Sequence, residues 1–102
     1  MELLHYAALG DLASLKRLAI MKDCDLNFGD YDGRTALHLA ASEGHRDVVN
    51  YLIESHISIN PTDRWGNTPL DDANRGMFVE VIELLIKNGA QGKEQKLKRP
   101  YS

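Results

Sequence analysis

The sequence repeats itself with a period of 33 residues, and no other feature constrains the fold as strongly. The repeated positions carry the same residue in two successive copies: Asp30 and Asp63, Gly33 and Gly66, Thr35 and Thr68, Leu37 and Leu70, Val48 and Val81, and Leu52 and Leu85. An earlier segment, Leu4–Ala8, matches residues 37–41 at the same spacing before the match slips by one residue. Periods of about 20–50 residues are typical of proteins in which one small unit stacks on copies of itself.

Each copy reads as a tight turn followed by two short helices. Asp32-Gly33 is a turn dipeptide, because glycine adopts positive φ without strain. Thr35 can then accept a hydrogen bond from the first turn of a helix. Gly44 ends that helix, and apolar residues at helical spacing begin again at Val48, which predicts a second helix. Such a thin unit cannot bury its own apolar face, so we expect its helices to lie against those of the neighbouring copies.

The period of 33 residues is that of ankyrin repeats, and the sequence resembles this family. We therefore predict an all-α solenoid of about three ankyrin repeats with β-turn or hairpin tips. The predicted units are a partial repeat one (residues 1–29), repeat two (30–62), repeat three (63–90) and a basic tail (91–102) that we expect to be disordered. Within these units we expect helices over residues 3–9, 12–21 and 47–55.

Repeat three departs from the pattern of repeat two at two places. Asp71 stands at the position of His38, and Met77-Phe78 stand where Gly44-His45 stood, because Gly76 comes one residue early. Proline after Thr68 still favours a helix start there, since proline at the first helical position lacks only an N–H that would go unpaired. We expect a distorted turn between the two helices of repeat three.

Composition excludes several classes of function. The formal net charge of −3 gives no reason to expect a nucleic-acid partner. Cys24 is the only cysteine, so no internal disulfide can form, and a reducing, intracellular compartment fits. The sequence has no apolar run of the ~20 residues that a membrane span needs. It begins directly in repeat pattern rather than in a signal peptide, and we expect it to be an excised part of a longer protein.

No combination of residues predicts catalysis, a cofactor or a metal site. No serine is followed by lysine three residues later, and the G-x-G-x-x-G pattern is absent. The histidines do not share metal-ligand spacing, and Cys24 has no companion. His5 and His38 are equivalent, and in ankyrin repeats a histidine there bonds the neighbouring turn. The paired carboxylates are expected to cap amides in turns and at helix starts: Asp23 and Asp25, Asp30 and Asp32, and Asp71 and Asp72.

The remaining candidate is a surface that binds a protein partner. Stacked repeats expose their turn tips and one side of each first helix as an extended binding surface. At those positions stand Tyr31, Asp32, Arg34, Ser42, Glu43, Arg64, Trp65, Asn67, Asn74 and Arg75. Arg64-Trp65 is the sharpest feature, because both residue types are enriched among binding anchors. The alternative is that Trp65 folds back onto the neighbouring turn.

The last helix of repeat three carries a second candidate surface. Val79 replaces Arg46 of repeat two, and Leu84 replaces Tyr51. The outer face of this helix is therefore more apolar than that of repeat two, whereas a terminal repeat normally has a polar outer face. Together with Glu83, Val79 and Leu84 form a candidate face for self-association or for docking on the rest of a longer protein. The alternative is coverage of this face by Leu97 and Tyr101 of the tail.

The segments Asp30–His45 and Asp63–Ala73, with Asn60-Pro61 between them, closely resemble the C-terminal ankyrin region of animal-type glutaminases. This resemblance implies a parent that hydrolyses glutamine to glutamate and ammonia at a serine–lysine site on a separate β-lactamase-like domain. It also implies a mitochondrial location and a non-catalytic role here, in binding partners or in packing within the oligomer. A similar Asp-Arg-Trp-Gly pattern occurs in ankyrin segments of plant integrin-linked-kinase-like proteins, so such a parent and a stand-alone adaptor are the alternatives.

Overall fold

The computed structural model describes residues 2–21 and 24–92. Within these ranges the chain forms six helices: α1 (Glu2–Leu9), α2 (Leu12–Met21), α3 (Ala36–Ser42), α4 (Arg46–Glu54), α5 (Pro69–Gly76) and α6 (Val79–Lys87). The only β-type pairing in the described part is an isolated bridge between Gly29 and Thr35, at the base of one tip. The predicted all-α solenoid with turn tips is confirmed. The predictions for residues 93–102, including the contacts of Leu97 and Tyr101, lie outside the described residues.

The helices pair in sequence order, and the pairs stack into an elongated body of 47 × 26 × 22 Å. The first helix of each pair packs on the first helix of the next, α1 on α3 and α3 on α5, and α4 packs on α6. The three predicted helices agree with α1, α2 and α4 to within one residue at each end. The boundaries of the repeats themselves, as we divided them, stay a prediction.

The core of the described part is one continuous cluster, because the helices pack both within each pair and against the next pair. The leucines that recur at the 33-residue spacing are at most 1% exposed: Leu37, Leu52, Leu70 and Leu85. Ala40 and Ala73 are fully buried in the middle of α3 and α5, and their small side chains suit the close packing of the first helices. Burial of a large leucine and of a small alanine on one helix face therefore sets the spacing of the stack.

Hydrogen bonds at the helix starts confirm the predicted caps. Thr35 accepts a bond from the backbone N–H of His38, and its own N–H donates to Nδ1 of that histidine at 3.1 Å. Thr68 and Asp71 form the same reciprocal pair, with the Thr68 N–H 2.8 Å from the carboxylate. This arrangement is a capping box, which satisfies two N–H groups that would otherwise lack partners.

The turn tips are held by aspartates at equivalent positions. One carboxylate oxygen of Asp30 accepts from the backbone N–H groups of Asp32 and Arg34, both at 2.9 Å. Asp63 does the same for Trp65 and Asn67, again at 2.9 Å. The Asp30 carboxylate thus satisfies backbone amides as expected, and Asp63 does the same in the next tip, so both tips are held in one conformation before any partner is bound.

The prediction of a distorted turn in repeat three was wrong. The backbone N–H groups of Met77 and Phe78 donate to the carbonyls of Asn74 and Ala73, both at 3.1 Å. Gly44 and His45 form the same pattern in repeat two. Met77 adopts the left-handed conformation (φ 59°) that glycine adopts at the equivalent position. The turn keeps its hydrogen bonds, and the irregular sequence is accommodated by backbone strain at this one residue.

His5 does not play the part predicted from its equivalence to His38. His38 is fully buried, and its Nε2 donates to the backbone carbonyl of Asn67 at 2.8 Å. His5 is exposed, and its ring lies against that of Tyr6 with centroids 5.9 Å apart. The first turn of the two helices also differs, because Glu2 stands at the position of Thr35, whose hydroxyl bonds the ring of His38.

Candidate protein-binding surface

Two successive turn tips are tied together by one arginine. The Nη1 atom of Arg64 donates to the carboxylate of Asp32 at 2.9 Å, and the backbone N–H of Arg64 donates to the Asp32 carbonyl at 2.8 Å. The two side chains remain 58% and 36% exposed. Exposed ion pairs contribute little stability, but the backbone bond aligns the tips. The tips therefore present their side chains as one surface.

The aromatic side chains of these tips face solvent. Trp65 is 57% exposed and Tyr31 is 98% exposed, so more than half of the Trp65 surface is open to solvent. The guanidinium of Arg64 lies 5.5 Å from the centroid of the Trp65 ring, within the range of a cation–π contact. We call Tyr31, Asp32, Arg64 and Trp65 the tip surface. It combines two exposed aromatic rings with an arginine whose orientation is already fixed.

Behind the tips, two arginines converge on a buried aspartate. Asp72 is 2% exposed and pairs with Arg34 and with Arg75, each at 3.1 Å. Burial raises the pKa of Asp72 above its ordinary value, although the Arg34 charge acts in the opposite direction. The Nε atom of Arg34 is buried and lacks a hydrogen-bond partner within the described structure. The expectation that the paired carboxylates cap amides was therefore wrong for Asp72, and also for Asp32, whose carboxylate bonds the side chain of Arg64.

Four other residues predicted for the surface are not joined to the tip side chains by any side-chain bond within the described ranges. Ser42 donates its hydroxyl to the Leu39 carbonyl of its own helix. Asn67 supplies backbone groups, accepting from His38 and donating to Asp63. Glu43 and Asn74 are exposed, and their part in binding stays a prediction. Of the ten predicted residues, Asp32, Arg64 and Trp65 are joined by side-chain contacts, Tyr31 lies exposed beside Asp32, and Arg34 and Arg75 meet at Asp72.

The second predicted face lies on the outer helices. Val79 is 60% exposed, Glu83 is exposed and Leu84 is half-buried. A groove of about 680 Å³ runs between α4 and α6 and is lined by Arg46, Asp47, Glu80, Glu83, Leu84 and Lys87. The lining carries both signs of charge around one apolar side chain. Such a mixed surface can meet a second copy of itself without like-charge repulsion.

No cluster of metal-ligating side chains occurs among residues 2–21 and 24–92. Two of the histidines instead join neighbouring repeats through hydrogen bonds. His45 donates to the Ala8 carbonyl at 2.9 Å, and His38 donates to the Asn67 carbonyl. None of the helices in the described ranges has the length and apolar character that crossing a bilayer requires.

Comparisons with known proteins agree with this architecture. A family model for ankyrin repeats, three copies in length, matches residues 3–96. The ankyrin repeat domain of human ASB11 superposes with a TM-score of 0.83 at 28% sequence identity, covering 89% of this chain and 41% of that one.

Two groups of relatives carry similar segments. The mitochondrial liver isoform of glutaminase from Rattus norvegicus is 51% identical over 86 residues, which are 82% of this chain and 14% of the glutaminase. Serine/threonine-protein kinase 12 from Arabidopsis thaliana is 41% identical over 90 residues, which are 88% of this chain and 19% of the kinase. The chain thus spans less than a fifth of either relative. Since the family model covers most of the sequence and the helix pairs stack as described, the chain belongs to the ankyrin-repeat family.

Proposed function

We propose that this chain is a protein-interaction module that binds its partner through the tip surface. The observation that carries this proposal is the fixed, exposed Arg64-Trp65 pair, bonded to Asp32 of the preceding tip. Because the tips are already ordered by Asp30 and Asp63, a partner segment meets a surface that loses little conformational entropy on binding. Exposed Trp, Tyr and Arg side chains are also the residues that most often dominate binding energy.

We propose that the parent protein is a glutaminase, with the reaction carried out by a domain outside this chain. Support comes from 51% identity to a liver glutaminase labelled mitochondrial, against 41% identity to the plant kinase. In such a parent the module binds protein partners or packs against the catalytic domain, and the protein is located in mitochondria. A kinase parent is the second candidate, supported by 41% identity over 90 residues.

The two parents are distinguished by the gene that encodes this chain. We expect its coding sequence to contain a domain with a serine followed by lysine three residues later, and the purified full-length protein to release ammonia from glutamine. A protein-kinase domain in the same reading frame, or a full-length protein without glutamine hydrolysis, would refute the glutaminase proposal. Neither result bears on the tip surface, which is tested separately.

The tip surface is tested by affinity purification with matched variants of the full-length protein. We expect Arg64→Ala combined with Trp65→Ala to lose the specific partner that the unmodified protein retains. The control combines Arg17→Ala with Glu54→Ala, two exposed positions on α2 and α4 that do not line the groove between α4 and α6, and should keep it. Identical partners for the tip variant and the unmodified protein would refute the proposed site.

We propose the outer face around Val79, Glu83 and Leu84 as a second site, for self-association. The groove beside it carries Arg46 and Lys87 opposite acidic side chains, so a two-fold pairing can place unlike charges together.

A further inference from the structure

Successive helix pairs meet at a glycine that receives a ring from the next repeat. His45 lies over Gly10, where the Cβ of any side chain would come within 2.5 Å of the ring. Phe78 lies over Gly44, where a Cβ would come within 2.6 Å. Both glycines also have positive φ, at 76° and 74°. We call Gly10 and Gly44 the glycine seats, since any side chain there would push the next repeat away.

The equivalent seat of repeat three is occupied by a side chain. Met77 forms the same backbone hydrogen bonds as Gly44 and has the same left-handed conformation, so it is the third seat of the series. Its side chain is 78% exposed at the end of the stack. A ring from a further repeat, placed as Phe78 is placed over Gly44, would overlap the Cβ of this methionine.

The bond that links one repeat to the next tip is also altered at this end. His38 uses Nδ1 to accept from Thr35 and Nε2 to donate to the Asn67 carbonyl of the next tip. Asp71 stands at the same position and accepts from Thr68 in the same way. An ionised carboxylate only accepts hydrogen bonds. It therefore cannot donate to the carbonyl of a further tip, and would repel that oxygen.

The backbone beyond α6 follows the course that leads from repeat two into repeat three. The N–H of Gln91 donates to the side-chain oxygen of Asn60 at 2.7 Å, as the N–H of Ser58 donates to that of Asn27 at 2.8 Å. Thr68 also donates its hydroxyl to the Gln91 carbonyl at 2.7 Å. Up to Gly92 the chain thus leaves in the register of a further repeat, and the path itself sets no barrier.

We propose that repeat three is a closed end: Met77 and Asp71 together prevent another ankyrin repeat from stacking on it. Two independent contacts carry this inference, the steric one at the seat and the hydrogen bond to the next tip. It follows that the binding surface of this module cannot be extended past repeat three by added repeats in the same register. The proposal concerns stacking alone and does not depend on the tip surface binding a partner.

The test is a tandem duplication within the full chain. In one protein, residues 60–92, which are one period long, are duplicated immediately after Gly92 without other changes. A second protein has the same duplication and carries Met77→Gly and Asp71→His in the first copy. The control duplicates residues 27–59 after Ile59, because the junction that it creates offers Gly44 as a seat and His38 as a donor. Each protein is unfolded in urea, and amide hydrogen exchange is measured across the inserted residues.

We expect the control duplication to fold as part of the stack. Because the urea m-value scales with the surface exposed on unfolding, it should rise by about a third, with a higher midpoint. The duplication after Gly92 should leave both quantities unchanged in the native sequence, with the inserted amides exchanging as in an unfolded chain. The two substitutions should restore the increase and protect the inserted amides.

Three results would overturn the proposal. The first is an increase in m-value and midpoint for the native duplication after Gly92 that equals that of the control. The second is failure of the Met77→Gly and Asp71→His background to restore the increase, since the barrier would then lie elsewhere. The third is a control duplication that does not fold, since the glycine seats would then not govern stacking.

Discussion

Replacing His38 tests the hydrogen bonds that join repeat two to repeat three. The residue is fully buried, accepts from the Thr35 N–H at 3.1 Å and donates to the Asn67 carbonyl at 2.8 Å. In His38→Leu the Thr35 N–H is left buried without its acceptor, which costs about 1–3 kcal/mol. Loss of the bond to Asn67 adds about 0.5–1.5 kcal/mol, toward the low end because that carbonyl still accepts from Asp63. We expect a total loss of about 1.5–3.5 kcal/mol.

The matched control is the same substitution at the equivalent position of repeat one. His5 is exposed, so His5→Leu should change the free energy of unfolding by no more than about 0.5 kcal/mol. Both variants are unfolded in urea and followed by circular dichroism. A cost below about 1 kcal/mol for His38→Leu would refute the reasoning, as would equal costs for the two variants.

The same contacts give three further predictions. Met77→Gly should stabilise the chain by about 0.5–1 kcal/mol, because it relieves a strain of about 1–2 kcal/mol at φ 59° and loses part of that to the entropy of glycine; a lower thermal midpoint would contradict this. The pKa of Asp72 in the folded chain is raised above its usual 3.8, so the folded chain binds this proton more readily than the unfolded chain. The contribution of Asp72 to the free energy of unfolding therefore falls as the pH rises from the unfolded pKa through the folded one. Asp72→Asn removes this dependence, and its free energy of unfolding relative to the unmodified protein should rise between about pH 4 and pH 7, whereas a constant or falling difference would count against it. Leu84→Arg should shift any self-association toward monomer in sedimentation velocity; an unchanged distribution that contains dimer would exclude this face.

The fold could be predicted from the sequence because its determinants are local and repeated. The cap at Thr35, the helix end at Gly44 and the apolar period of each helix act within a few residues of one another. Repetition then shows that the same local solution occurs three times and must stack. For this reason the predicted bounds of α1, α2 and α4 agree with the structure to within one residue.

The features that were missed depend on contacts between repeats. Arg34 and Asp72 are 38 positions apart in sequence, and their pairing at 3.1 Å appears only once α3 and α5 are packed. A signal was present, because Asp72 replaces Leu39 at an apolar position of the period. The turn at Met77 was mispredicted because residue preference was given more weight than the two backbone hydrogen bonds that hold it. At this turn the hydrogen bonds outweigh the strain.

Site-specific photo-crosslinking tests most directly whether the tips bind a partner. A photoreactive phenylalanine derivative is placed at Tyr31, which is 98% exposed on the tip surface, or at Tyr51 on the outer helix α4 in the full-length protein. We predict covalent capture of a partner protein from position 31, lost when Arg64→Ala and Trp65→Ala are added, and no capture of that partner from position 51. Capture from position 51 alone, or capture from position 31 that survives those two substitutions, would contradict binding at the tips.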